Sequence, residues 1–295
     1  MQEFDAFDRR FPLRQMTIGG ISFPYRHHVH SQNRETLLLL TGGIGLSDLF
    51  FCHFAAFAKD FSVLTCDYPL SCTTMAQLTD TLAQLLRTLG IRAWLVGHSF
   101  GGVVAQLLAR RHSDVVAGLV LSNTASLAAD MTPETRASLL ALLEKEERYH
   151  SQMQAMPFAL VKPMLRRAIL KKAVGLTPAQ QKTVNDLCQL MTQKLTKSYG
   201  LHMLELLCDC RNHLELSPQD FLPWKDCVLL LLSEDDHTFT DGVKASLISL
   251  MPEPQVVTEL PGGHLALLLQ SASYLSTVTA FIQLAAMGES EAMCV

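Results

Sequence analysis

The chain has 295 residues, 48% of them hydrophobic and 18% charged, which fits one large folded domain or one domain with an insertion and excludes a disordered or collagen-like polymer. Its formal net charge of −4 leaves no basic field to attract nucleic acid and no charged tail, so a small molecule or a protein is the expected partner. Apolar runs such as "CVLLLL" at 227–232 fall far short of the roughly 18 residues a bilayer span needs, so no stable membrane insertion is expected.

The opening "MQEFDAFDRRFPL" mixes acids and bases and lacks a basic flank followed by an apolar core, so it does not read as a signal peptide. The eight cysteines have no framework spacing; reduced thiols and a cytoplasmic location are expected. "RQMTIGG" and "ISFPYRHHV" predict a leading hairpin. His27, His28 and His30 fall on an expected edge strand, where residues alternate faces, and are not read as metal ligands. "TLLLL" (36–40), "SVLTC" (62–66), "AWLVG" (93–97) and "AGLVLS" (117–122) predict the next four strands; "CVLLLLS" (227–233) and "QVVTEL" (255–260) predict the last two. Helical periodicity lies between them, around 47–58, 74–89, 100–111, 240–250 and 271–286. Alternating strands and helices imply an α/β fold, with a mostly parallel eight-stranded sheet and helices on both faces.

The alternation stops between Ala125 and Glu215, where several amphipathic helices and no strand are predicted. This places a helical cap, 125–215, after the sixth strand of a core formed by 1–124 and 216–295. Thr132-Pro133 and Thr177-Pro178 are helix starts, the second with a capping box to Gln180, and Ser217-Pro218 marks the return to the sheet. The insertion holds 12 of the 24 basic residues but only 9 of the 28 acidic ones. Met153, Met156, Met164, Met191 and Met203 lie in it and are candidates to line an apolar cleft. "KPMLRRAILKKAV" from Lys162 is basic and amphipathic, the pattern of a solvated face or a membrane-surface helix. Cys208, Cys210 and His213 read as a helix end with buried thiols; no metal site is expected.

The motif with chemical content is "LVGHSFGG" at 95–102. A strand ending at Gly97 and a helix beginning near Phe100 leave Ser99 on a sharp turn. The small neighbours Gly97 and Gly101 permit that bend and hold the hydroxyl exposed at the positive end of a helix.

From these residues the chain resembles an α/β-hydrolase-fold serine hydrolase of the carboxylesterase or iminopeptidase-like branch over nearly its full length. "GHSFGG" resembles the family's nucleophile elbow. "LLLLTGGIG" at 37–45 resembles its strand and oxyanion loop, with Thr41 and Ile44 in place of the usual histidine and proline. "VLLLLSEDDHTFT" at 228–240 resembles the acid turn and puts Asp236 on the acid, with Asp235 as competitor; the alternative acid position after the preceding strand holds Asn123. "ELPGGHLALL" at 259–268 resembles the loop that carries the histidine, here His264. One departure follows "VLTCDYP" at 63–69, where "LSCTTM" replaces a Gly-x-Gly-x-Ser turn. The resemblance implies Ser99 as nucleophile, His264 as general base, Asp236 as its orienter, and the amides of Gly43 and Phe100 as oxyanion donors. It implies no cofactor. A serine nucleophile excludes the aspartate-based halide and epoxide hydrolases of this fold. Expected substrates are esters, thioesters or lactones of a small to medium apolar acyl group, contacted by Ile44, Met153, Met156 and Met164. A slow-turnover ligand receptor and a cofactor-free lyase or C–C hydrolase remain alternatives, and the sequence is silent on oligomeric state.

Overall fold

The computed structural model describes residues 2–172 and 176–292. One sheet contains eight strands: β1 (Arg14–Ile18), β2 (Ile21–His28), β3 (Thr36–Leu40), β4 (Ser62–Cys66), β5 (Ala93–His98), β6 (Val116–Ser122), β7 (Val228–Leu231) and β8 (Gln255–Val257). Their order is β1-β2-β4-β3-β5-β6-β7-β8. β2 runs antiparallel to β1 and β4, and every other neighbouring pair is parallel, which is the mostly parallel sheet the alternating sequence predicts. β8 is shorter than expected: its regular ladder with β7 ends at the Leu231–Val257 pair, beyond which the segments stay joined by Leu232 N to Val257 O (2.9 Å) and Glu234 N to Thr258 O (3.4 Å).

The central strands are nearly continuous in apolar residues because both faces are covered. Successive side chains go to opposite sides. Leu38, Leu40, Leu64, Leu95 and Leu121 join one core, whereas Leu37, Leu39, Val63, Val96 and Val120 join the other. Helix α1 (Gln2–Arg10) and α2 (Phe51–Phe57) supply Phe7 and Phe54 to the second core; α3 (Met75–Leu89) and α4 (Phe100–Arg111) supply Leu82 and Val104 to the first.

Helix α1 is absent from the sequence reading, since mixed charges mask its periodicity. Phe4 and Phe7 share its buried face and pack edge-to-face against Phe51 and Phe54, with ring centroids 5.7 and 5.5 Å apart. Buried Arg26 fastens this corner, donating to the Phe11 carbonyl and pairing with Asp48 at 2.6 Å and Asp8 at 2.7 Å. The helix expected at 47–58 opens as a 3₁₀ turn, Ser47–Phe50, before α2.

After β6 the chain enters four helices, α5 (Pro133–Ala155), α6 (Phe158–Lys172), α7 (Pro178–Lys194) and α8 (Lys197–Asp209). Thr132, Thr177 and Thr196 cap α5, α7 and α8 through their side chains, and Thr177 and Gln180 complete the expected capping box. The two ends of the insertion run side by side: Ala129 N donates to Leu216 O (2.8 Å) and Leu216 N to Leu127 O (3.0 Å). Ala173 and Val174, the end of the basic run from Lys162, lie outside the described residues, as does Cys294. The chain returns through Ser217, which caps a 3₁₀ turn with Asp220. It then passes through β7, α9 (Asp241–Leu250), β8, α10 (Ala266–Leu269) and α11 (Ser271–Ala292). No single described helix is long and apolar enough to cross a membrane.

Candidate active site

Ser99 sits between the last residue of β5 and the first of α4, with φ 53° and ψ −120°, a conformation few non-glycine residues hold without surrounding support. Close packing imposes it. A Cβ on Gly97 would stand 2.4 Å from the Gly101 carbonyl oxygen, and one on Gly101 would stand 2.0 Å from that of Leu40. Ser99 N donates to Ser122 O at 3.0 Å and Thr124 Oγ1 donates to Ser99 O at 2.6 Å, which tie the turn to the end of β6.

The loops after β7 and β8 bring the other two predicted side chains to this hydroxyl. His264 Nε2 lies 2.9 Å from Ser99 Oγ, and His264 Nδ1 lies 2.9 Å from Asp236 Oδ2. A carboxylate only accepts, so Nδ1 carries the proton and Nε2 is left to accept from the serine. Asp236 is buried, and its Oδ1 accepts from Thr238 N at 2.8 Å. Burial alone would raise its pKa, but the bond and charge of His264, aided by Thr238, hold the carboxyl below its ordinary value.

Asp235 does something else. Its two oxygens accept from the amides of Gly262 and Gly263 at 2.8 and 2.9 Å, which shapes the turn just before His264. Asn123, at the alternative acid position, is a tether: its Nδ2 donates to Gly263 O (2.9 Å) and Ser233 Oγ (3.1 Å), and its Oδ1 accepts from Ser233 N (2.8 Å). The imidazole of His264 lies between two rings, His98 at 5.0 Å and Phe239 at 5.7 Å. His98 is buried beneath the turn, as expected, and its Nδ1 has no partner. Burial, then the neighbouring His264, push its pKa well down and keep it neutral.

A cavity of about 480 Å³ opens onto Ser99 and His264. Gly43 and Phe100 both line it, as the oxyanion expectation requires. So do Ile44, Met153, Met156, Met164 and Met203; Met164 is 54% exposed and stands at the rim. Met191 does not line it, because it faces a separate small core with Leu46 and Leu195. Leucines contribute much of the remaining wall, among them Leu139, Leu142 and Leu143 of α5 and Leu204 and Leu207 of α8. Sequence reasoning missed Asn123, Asp235 and Phe239 in these roles; for Asp235 the signal was present, as a second carboxylate beside the predicted acid.

The other histidine and cysteine clusters have local partners. His30 Nδ1 accepts from Gln32 N and Asn33 N, His213 bonds Asp209, and the Cys210 thiol donates to Leu206 O. Among the described residues no group of three or more His, Cys, Asp or Glu is arranged to hold a metal ion.

Residues 35–270 match the family model of the alpha/beta hydrolase fold. The chain belongs to the α/β-hydrolase fold family. Among solved structures it is similar to an epoxide hydrolase from Bacillus megaterium (17% identity, TM-score 0.71, covering 92% of this chain and 100% of that one). It is also similar to a thermophilic esterase from Thermogutta terrifontis (18%, 0.68, 92% and 97%) and an enol-lactonase from Burkholderia xenovorans (20%, 0.67, 92% and 100%). At such identities the likeness establishes the fold and leaves the substrate open. No curated protein matches the chain in sequence.

Proposed function

We propose that this α/β-hydrolase-fold protein is a serine hydrolase that cleaves carboxylic esters, or the related thioesters and lactones, of a small to medium apolar acyl group. The observation that carries this reading is the continuous chain Ser99 Oγ, His264, Asp236, with both links at 2.9 Å, opening onto a cavity with a largely apolar wall that includes several leucines and methionines. Ser99 attacks the ester carbonyl as His264 Nε2 takes its proton; Asp236 holds the imidazole in the tautomer that can accept it. Charge gathers on the carbonyl oxygen, where the amides of Gly43 and Phe100 receive it, each worth about 3 kcal/mol of transition-state stabilisation. His264 then returns the proton to the leaving alcohol. In the second half it takes one from water, which attacks the acyl-enzyme and releases the acid.

On this reading residues 125–215 are a cap over a core of 1–124 and 216–295, and Ile44, Met153, Met156 and Met164 contact the acyl chain. None of the seven described cysteines is in a disulfide, which suits a reducing compartment and supports placing the protein in the cytoplasm. The test is hydrolysis of short-chain p-nitrophenyl esters, together with labelling by a fluorophosphonate. Wild-type protein turns over the esters and is labelled at Ser99, and Ser99→Ala does neither while keeping its circular dichroism. Labelling without turnover would indicate a receptor. Full activity in Ser99→Ala would refute the assignment.

A further inference from the structure

The loop after β3 carries Gly43 but has Thr41 and Ile44 where the family pattern has a histidine and a proline. Other groups hold it. Tyr68 Oη donates to Thr41 O at 3.0 Å, and Ser47 sends its amide and its hydroxyl to Asp67 Oδ1 at 2.7 and 2.6 Å. Between these two anchors the loop makes a tight turn, Gly45 N donating to Gly42 O at 2.9 Å.

The third anchor comes from the insertion. Tyr199, in the first turn of α8, donates its hydroxyl proton to Gly45 O at 2.9 Å and accepts from Tyr68 N at 2.9 Å. Tyr199, Met203 and Leu207 recur every four residues and share one helix face. That face is pressed onto the loop. Gly45 has φ +74°, and a Cβ on it would stand 2.3 Å from Met203 Sδ; a Cβ on Gly43 would stand 3.2 Å from Leu207 Cδ1. The methionine and the leucine therefore occupy the space above the two glycines, while the tyrosine fixes the carbonyl of one of them.

We propose that α8 is a built-in part of the oxyanion apparatus, with Tyr199 a positioning residue that sets the direction of the Gly43 amide through Gly45, and Met203 and Leu207 packing the loop from above. The proposal rests on the serine-hydrolase reading. Removing the hydroxyl leaves the Gly45 carbonyl and the Tyr68 amide without their shared partner and lets the turn reorient. The Gly43 donor matters most when charge has developed on the carbonyl oxygen, so its misalignment weakens transition-state binding more than substrate binding. A helix that served only as a wall of the cavity would alter KM instead.

The experiment is Tyr199→Phe, which keeps the ring and deletes only the hydroxyl. With p-nitrophenyl butyrate, kcat falls about tenfold or more while KM stays within about twofold, the fraction of a lost oxyanion donor expected from misalignment. Fluorophosphonate labelling of Ser99 slows in parallel, and hydrogen exchange in the 41–47 segment rises. Met203→Leu, which keeps the loop packed, retains more of kcat than Met203→Ala. Unchanged kcat and labelling rate in Tyr199→Phe, or a change confined to KM or to melting temperature, would overturn the proposal. If wild-type protein is neither labelled nor active, the serine-hydrolase reading fails, and exchange alone judges the anchor: no rise in the 41–47 segment on losing the hydroxyl would overturn it as well.

Discussion

Asp235 and Asp236 are chain neighbours whose carboxylates serve different ends, one setting the imidazole and the other the turn that delivers it. Replacing Asp236 by asparagine exchanges an acceptor for a group that can present a donor to His264 Nδ1, favouring the wrong tautomer. kcat is expected to fall by on the order of 10⁴. Asp235→Asn keeps one acceptor for the two glycine amides, so the expected loss is about tenfold in kcat, a consequence of looser positioning. Steady-state kinetics on one ester separates the two; equal losses would contradict the division of labour. The site was legible at Ser99, His264 and Asp236 because each lies in a short local motif: a Gly-x-Ser-x-Gly turn, an acidic turn after a strand, and a glycine-flanked histidine. Tyr199 was not legible. Its partner Gly45 is 154 positions away, and nothing in "TKSYGLHM" distinguishes a tyrosine that anchors a loop from one that packs.

At the level of elements, the central strands were readable because double-sided burial makes them nearly uniform apolar runs, and α5 and α7 because Thr132-Pro133 and Thr177-Pro178 mark their starts. Helix α1 was hidden since its buried face consists of only two residues, Phe4 and Phe7, among charges. Phe7 contacts Phe4, Phe11, Phe51 and Phe54, so Phe7→Ala is expected to cost about 3–5 kcal/mol of stability in urea unfolding, with the ester KM unchanged. A loss under about 1 kcal/mol would mean that α1 is not docked as described. Asn123 joins three elements, and Asn123→Ala strands the buried Ser233 amide and two further groups. We expect about 2–3 kcal/mol of destabilisation, together with reduced kcat, because the His264 loop loses its hold on the end of β6.

For the molecule as a whole, the buried histidines set the response to acid. His53, His98 and His202 each leave a ring nitrogen unpartnered in the interior, and burial lowers the pKa of all three from the ordinary 6.5. They stay neutral in the folded chain but take up protons once unfolded, so stability is full above about pH 6.5 and declines as pH falls below it. Asp236, held below its ordinary carboxylate value, adds a further loss at lower pH, where its pairing with His264 is removed. Thermal unfolding should therefore show a lower Tm at pH 5.5 than at pH 7.5, with a shallower slope in His53→Gln; a flat profile would contradict the buried neutral state. The acyl chemistry itself is tested most directly by stopping the reaction with p-nitrophenyl butyrate in acid within its first turnover and weighing the protein. The account predicts a butyryl adduct on the peptide that contains Ser99, absent in Ser99→Ala; turnover with no adduct there, or an adduct on any other residue, would contradict it.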